Sequence, residues 1–382
     1  MQATEWLVLN ALPGLGTQRI ARLAEQSPEW PGGWLALLPR QAASELRLWL
    51  DHPGRSPLQS MLENNLAWEA ASSRRALLHP GHSAWPDLLG EIADPPPVLW
   101  AQGDLAALSL PGLAMVGTRH PTSEGAQNAQ AFARDFASRG WCVVSGMALG
   151  VDAMAQRAAL DAGGASIAVL ASGIDSIYPA RHRDLYQRLS DTSGGLVLAE
   201  HPLGTQARPA FFPRRNRIVT GLSLGTLVVE AAEKSGSLVS ARLALEQGRE
   251  LFAIPSSVHN LQAHGCLRLL RNGATLARSS QDILDELQHW AETFMPPVPV
   301  NGQSKAAAER MHTRPQAAPL PLREEELPDE LLGLLGEAPM PIDRLVQLAD
   351  IAVSECQRRL LMLELDNHVE QRSGGWVRLT KP

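Results

Sequence analysis

Apolar and polar positions divide the chain into stretches with different rhythms. Through the first 75 residues, leucines and alanines recur at helical spacing, punctuated by Pro13-Gly14, Pro31-Gly32 and Pro53-Gly54. Short helices are predicted there. The centre switches to unbroken apolar runs: "GLAMVGT", "WCVVSG", "SIAVLASG", "GLVLAEH", "LGTLVVEA" and "ELFAIPS". Amphipathic stretches such as "SEGAQNAQAFARDFASRG" and "VDAMAQRAALDAGG" lie between several of them. Strands that are apolar throughout and alternate with helices predict a parallel sheet covered on both faces. This is an α/β domain with a doubly wound parallel, Rossmann-like sheet.

The rhythm then stops. "MPPVPVNGQSKAAAERMHTRPQAAPLPLREEELP" is rich in Pro, Ala and charge and has no periodicity, so it reads as a linker. The tail after it gives three helices and a short hairpin around "SGG", the order of a winged helix. The predicted organisation is a small helical N-terminal domain over 1–78, the Rossmann-like domain over 79–292, a Pro-rich linker over 293–328 and a winged-helix C-terminal domain over 329–382. Within the first domain, "LPGLGTQRIARL" has the look of a helix–hairpin–helix turn and reads also as the Gly-containing turn of a plain helical bundle.

Composition narrows the class. The apolar fraction of 45% is that of a soluble globular protein, and no stretch is long and apolar enough to span a bilayer. The N-terminus lacks a basic start and carries Glu5 inside its apolar stretch, so no signal peptide is read. Cys142, Cys266 and Cys356 are far apart and suit neither a disulfide framework nor zinc spacing. A reducing cytoplasm and no metal are expected.

The chain carries 34 basic and 40 acidic residues, but the balance varies along it. Residues 111–290 hold 17 basic and 15 acidic side chains, net +2, while each flank is net −4. A polyanion would therefore be held by a local patch and backbone amides rather than by bulk charge.

Ligands of a doubly wound sheet bind at the carboxyl ends of its strands. Three turns stand there. "VGTRHPT" supplies Gly117, Thr118 and Arg119; "SGMALGVD" supplies Ser145, Gly146 and Gly150; "EKSGSLVSA" supplies Ser235, Gly236 and Ser237 at a helix start. Small residues at helix N-termini expose amides and the positive end of the helix dipole, so the three turns together predict an anion site.

"FFPRRNRIVTGLS" adds Arg214, Arg215 and Arg217 beside Phe212. Phosphates of a single strand need cations and amides, and unpaired bases need flat apolar partners. In an extended segment Arg215 and Arg217 share one face and Arg214 takes the other. At least one of the three is expected to be structural, paired with Glu200, Glu230 or Glu233.

No Gly-Lys-Ser/Thr loop is present and no GxGxxG follows a strand, so no nucleotide cofactor is expected. "HRD" at 182–184 lacks the other kinase segments. "GLSLG" at 221–225 lacks the strand before and helix after that would make Ser223 a nucleophile.

The order of "MVGTRHPT", "VVSGMALGVDAMAQRAAL", "GIDSIYPARHRDLY", "FFPRRNRIVTGLS" and "VVEAAEKSGSLVSARLALEQGRELFAIP", closed by "GCLRLLRNGAT", resembles the DNA-processing protein family DprA, also called Smf. The resemblance covers about residues 80–290, and the two flanks fit more loosely. It implies a non-enzymatic protein, without a cofactor, that binds single-stranded DNA and helps load the RecA recombinase onto it during natural transformation. It also implies a homodimer formed through the α/β domain. The implied DNA contacts are Gly117, Thr118, Arg119, Ser145, Gly146, the Phe212–Arg217 segment, and Ser235, Gly236 and Ser237. Leu149 stands where that family often has arginine, Leu267 where it usually has asparagine, and Phe211 where "NFPRRNRI" has asparagine.

A reading from another class is a phosphoribohydrolase similar to the lysine-decarboxylase-like enzymes, which cleave nucleoside monophosphates on a similar sheet. Their "GGxGTxxE" signature ends in a glutamate, and Ser240 stands at that place here. The carboxylate such chemistry needs is missing there.

Overall fold

The computed structural model describes residues 1–294 and, beyond them, 333–336, 339–349, 351, 356, 360, 363, 369–372 and 375–378. The chain forms two units, 1–299 and 300–382.

The first unit opens with helices α1 (Ala3–Ala11), α2 (Thr17–Ala24), α3 (Gly32–Leu37), α4 (Arg40–Asp51) and α5 (Pro57–Ala70). Strand β1 (Arg75–Leu78), the short helix α6 (Asp87–Gly90) and β2 (Leu99–Gly103) lead into the alternating region. There follow β3 (Gly112–Val116), α7 (Ser123–Ser138), β4 (Cys142–Ser145), α8 (Val151–Asp161), β5 (Ala165–Gly173), α9 (Arg183–Asp191) and β6 (Gly195–His201). The unit continues with α10 (Phe211–Gly221), β7 (Gly225–Val228), α11 (Ser237–Glu246), β8 (Glu250–Ala253), α12 (His264–Arg271), β9 (Thr275–Leu276) and α13 (Ser280–Phe294).

All nine strands form one sheet in the order β1-β2-β6-β5-β4-β3-β7-β8-β9. From β6 to β9 every pairing is parallel. The predicted strands are all present, and two that the apolar pattern did not show extend one edge: β2 runs antiparallel to β6, and β1 antiparallel to β2. The expected boundary after residue 78 thus falls at the end of a sheet strand, and the helical segment gives four residues to the sheet.

Side chains of a strand alternate between faces, and both faces here are covered. On β3, Leu113 and Met115 pack with Phe136 of α7 and Val151 of α8, while Ala114 and Val116 face the cluster that holds Ile218 of α10 and Ala241 of α11. The N-terminal helices share a core with the sheet. Trp6, Leu9, Trp34 and Leu46 belong to one buried cluster with Trp100, Leu170 and Val197, and Trp100 Nε1 donates to Asn65 Oδ1 at 2.7 Å. Burying each such large side chain contributes about 1.5–3 kcal/mol.

Strands β3 to β6 step outward on one side, and the chain then returns to place β7 on the other side of β3. The loops after β3 and β7 therefore leave on opposite faces. The crevice between them is where a doubly wound sheet binds its ligand.

In the second unit, α14 (Ile342–Ala349) and an antiparallel hairpin of β10 (Val369–Arg372) and β11 (Gly375–Arg378) are described. Of the predicted "SGG" turn, Gly375 opens β11, and 373 and 374 lie outside the described residues. Leu335, Leu345, Cys356, Leu360, Leu363 and Val369 form its buried cluster. Of the predicted linker, residues 293 and 294 end α13, and 295–328 lie outside the described residues. Among the described residues no helix is long and apolar enough to cross a membrane. The three cysteines are buried thiols.

Candidate nucleic-acid interface

The loop after β3 is pinned from beneath. Gly117 has room for no side chain: a Cβ would lie 2.6 Å from Val151 Cγ2 and 3.0 Å from the Glu230 carbonyl oxygen. The Thr118 amide donates to that carbonyl at 2.8 Å. The buried Glu230 carboxylate accepts from the Thr122 amide (2.8 Å), the Thr122 hydroxyl (2.6 Å) and Asn260 Nδ2 (3.2 Å). Thr122 in turn caps α7, its Oγ1 accepting from the Gly125 amide at 3.1 Å. A carboxylate that the sequence offered as an arginine partner instead fixes the loop that carries Arg119.

The turn after β4 is held just as closely. Asp152, near the start of α8, accepts from the amides of Gly146 (3.1 Å) and Ala148 (3.4 Å). Gly150 has φ 76°, and a Cβ there would lie 2.4 Å from the Thr118 carbonyl oxygen, so only glycine suits the position. Ser145 is fully buried, and its hydroxyl donates to the Met115 carbonyl at 2.6 Å, tying β4 to β3. The turn after β7 delivers Ser235, Gly236 and Ser237 to the start of α11. The Ser235 and Ser237 hydroxyls lie 2.6 Å apart, and no acidic residue occupies the first turn of the helix.

The arginine segment is not extended. It forms the first two turns of α10, because Pro213 falls in the first turn, where a missing N–H costs nothing. Helical geometry regroups the cluster: residues three apart share a face, so Arg214 goes with Arg217 rather than Arg215 with Arg217. Arg217 is buried, pairs with Asp94 at 3.1 Å and binds Glu200 Oε1. Arg214 is about half exposed and reaches Glu200 Oε1 at 3.4 Å and the Thr17 hydroxyl at 3.3 Å. Arg215 turns inward. Its Nη1 donates to the carbonyls of Gly146 (2.6 Å) and Val169, and its Nε to Asn216 Oδ1 at 3.3 Å. Burial pushes its pKa down to about 10, with Asp152 opposing and Arg119 adding to the shift. Burial likewise raises the Asp152 carboxyl, while Arg215 and the two amides pull it back. The guanidinium stays charged at neutral pH.

Between these loops lies an open cavity of about 420 Å³. Of the predicted site residues, Gly117, Thr118, Arg119, Phe212, Arg215, Ser235, Gly236 and Ser237 line it. Gly146 lines a smaller adjoining pocket with Leu149, Tyr178 and Phe212. Ser145, Arg214 and Arg217 line neither. Arg119 is exposed, and its Cζ sits 5.5 Å from the centroid of the Phe212 ring. The Tyr178 ring meets Phe212 at 5.5 Å and 60°, edge to face. Among the described residues, Arg119 has no carboxylate within ion-pair distance.

The rim thus presents a cation without an acidic partner, two aromatic rings, and the start of a ten-residue helix without acidic side chains in its first turn. An anion with flat apolar groups attached suits that combination. Sequence reasoning did not single out Tyr178 or Asp152, and it offered Glu230 only as an arginine partner. Each stands inside a quoted motif, and what marks it out is a partner distant in the chain.

Comparison with known proteins matches residues 76–288 to the family of DNA recombination-mediator protein A and residues 314–375 to the DprA winged helix domain. The chain is 38% identical over 323 residues to Protein Smf of Escherichia coli, covering 84% of this chain and 81% of that protein. The X-ray structure of DNA processing protein A from Streptococcus pneumoniae superposes with a TM-score of 0.65 at 31% identity, covering 75% of this chain and 98% of that one. A Helicobacter pylori DNA processing protein A structure, described for its single-stranded DNA binding mode, gives a TM-score of 0.50 at 32% identity, covering 56% and 96%.

Proposed function

This chain belongs to the DNA recombination-mediator protein A (DprA, or Smf) family, and we propose that it binds single-stranded DNA in the crevice at the carboxyl ends of β3, β4 and β7. The observation that carries the reading is Arg119. It is an exposed guanidinium without an acidic partner among the described residues, set over an aromatic ring at the mouth of a cavity with a helix start on its far wall. Arg119 and the α11 amides hold phosphates, and Phe212 with Tyr178 takes a base. The H. pylori relative, whose structure is described for its single-stranded DNA binding mode, supports the same ligand here.

Two further elements rest on the family resemblance. In this reading the protein acts as a homodimer in the cytoplasm, and it passes the bound strand to RecA during natural transformation. Cleavage of nucleoside monophosphates gains no support. Ser240, at the place of the required glutamate, is buried within α11, and Asp152, the carboxylate on the cavity wall, is engaged by two amides.

The test is a titration of labelled single-stranded and duplex oligonucleotides of mixed composition, followed by anisotropy at several salt concentrations. Tighter binding of the single strand, little dependence on base composition and a steep loss with salt support the reading. A flat salt response, or preference for one duplex sequence, contradicts it.

A further inference from the structure

Phe211 precedes Phe212 by one residue and builds a second aromatic assembly beside the first. Its ring stacks on His201 with centroids 4.0 Å apart and planes 30° from parallel. Arg208 Cζ lies 5.8 Å from the same ring. The loop between β6 and α10 positions that guanidinium. The Phe211 amide donates to the Arg208 carbonyl at 2.9 Å, closing a four-residue turn with Pro209 in its second place, where proline's fixed φ favours the turn. Farther back, the Gly204 amide donates to both oxygens of Asp175, at 2.8 and 2.9 Å. Burial lowers the His201 pKa and Arg214 and Arg217 lower it further, against the pull of Glu200. The ring beneath Phe211 is therefore neutral at pH 7.

Arg208 is exposed and, like Arg119, has no carboxylate within ion-pair distance among the described residues. Its neighbour Ala207 lines the smaller pocket together with Phe212 and Arg119. Phe211, Arg208 and His201 line neither pocket, and the second assembly joins the first through Ala207 and the Phe211–Phe212 peptide. Its composition repeats that of the first: an unpaired guanidinium over a phenyl ring with another ring against it. Phe211 also stands where the family pattern "NFPRRNRI" has asparagine, so this ring departs from that pattern.

We propose that Phe211, backed by His201 and topped by Arg208, is a second stacking and phosphate-binding platform that extends the single-strand path beyond the Arg119–Phe212 pair. The inference rests on the single-strand reading above and adds a nucleotide to its footprint. A base stacks on the Arg208–Phe211 layer and the flanking phosphate meets the guanidinium. A duplex, whose bases are already stacked on each other, gains only the phosphate contact.

The full-length protein, with the variants Phe211→Leu, Phe211→Tyr and Arg208→Ala, is titrated against labelled thymidine oligonucleotides of graded length and against a duplex. Phe211→Leu keeps an apolar side chain on His201 but removes the ring. It should weaken single-strand binding about tenfold, leave the salt slope and duplex binding unchanged, and shorten the strand that saturates the protein. Phe211→Tyr should bind as the wild type. Arg208→Ala, at an exposed position, should make the salt slope shallower by about 0.7. Wild-type affinity in Phe211→Leu, or an unchanged slope in Arg208→Ala, overturns the inference. Failure of the wild type to bind single strands overturns the underlying reading instead.

Discussion

The Arg215 guanidinium occupies the space that a side chain on Gly146 would need: a Cβ on Gly146 would lie 2.1 Å from Nη2. The Gly146 carbonyl accepts from the same guanidinium, and the Gly146 amide donates to Asp152. The turn after β4 is thus built around a buried cation, and the glycine is what lets the cation in. Arg215→Ala would leave the carbonyls of Gly146 and Val169 without this donor and Asp152 without its nearby countercharge. The expected loss is about 3 kcal/mol of stability, read as a lower urea midpoint. A midpoint equal to that of the wild type would show that Arg215 is held for the ligand alone.

Arg217 and Arg214 share Glu200 but differ in burial. Arg217→Ala leaves the buried Glu200 with only the half-exposed Arg214 and removes the ion-pair partner of Asp94, so it should cost about 3 kcal/mol. Arg214→Ala removes a half-exposed, 3.4 Å pair and should cost under about 1 kcal/mol. Thermal melts of the two variants check the contrast, and equal losses would contradict it.

Six of the nine strands of the large sheet were legible because a strand buried on both faces is mostly apolar, and β3 to β8 alternate with helices. Strands β1 and β2 stand ahead of that alternation and pair antiparallel at one edge; β9 has two residues. The cavity was legible because Gly/Ser turns after strands are local signals, and a doubly wound sheet gathers them at the carboxyl ends of its strands. The arginines were legible only in part. At least one was expected to pair with Glu200, Glu230 or Glu233, and Arg217 does bind Glu200, but only the packing of α10 against Glu200, Asp94 and the Val169 carbonyl shows which guanidiniums are buried. Ser145 went the same way: a hydroxyl at a strand end looks available, but the Met115 carbonyl takes it.

The first unit should fold without the second. A chain of residues 1–299 keeps all of α13, whose Ile283 and Leu287 are fully buried, and should melt cooperatively and bind single-stranded DNA as the full chain does. A chain ending at Arg278 exposes the surface those residues cover and should lose several kcal/mol, since each such side chain is worth about 2–5 kcal/mol when deleted from a core. Loss of binding by a well-folded 1–299 chain would place part of the DNA site in the C-terminal unit.

In the proposed reading Arg119 grips the strand and supports nothing else. Its guanidinium contacts the Phe212 ring and, among the described residues, no carboxylate. The decisive measurement is the affinity of Arg119→Ala for a labelled single strand across a salt series, with a thermal melt of the same sample. The variant should melt near the wild type. Its binding should weaken by about 1.5–3 kcal/mol, roughly tenfold to hundredfold, with a salt slope shallower by about 0.7. A variant that melts early while its folded fraction binds with wild-type affinity and slope would make Arg119 a structural residue and move the site away from this crevice.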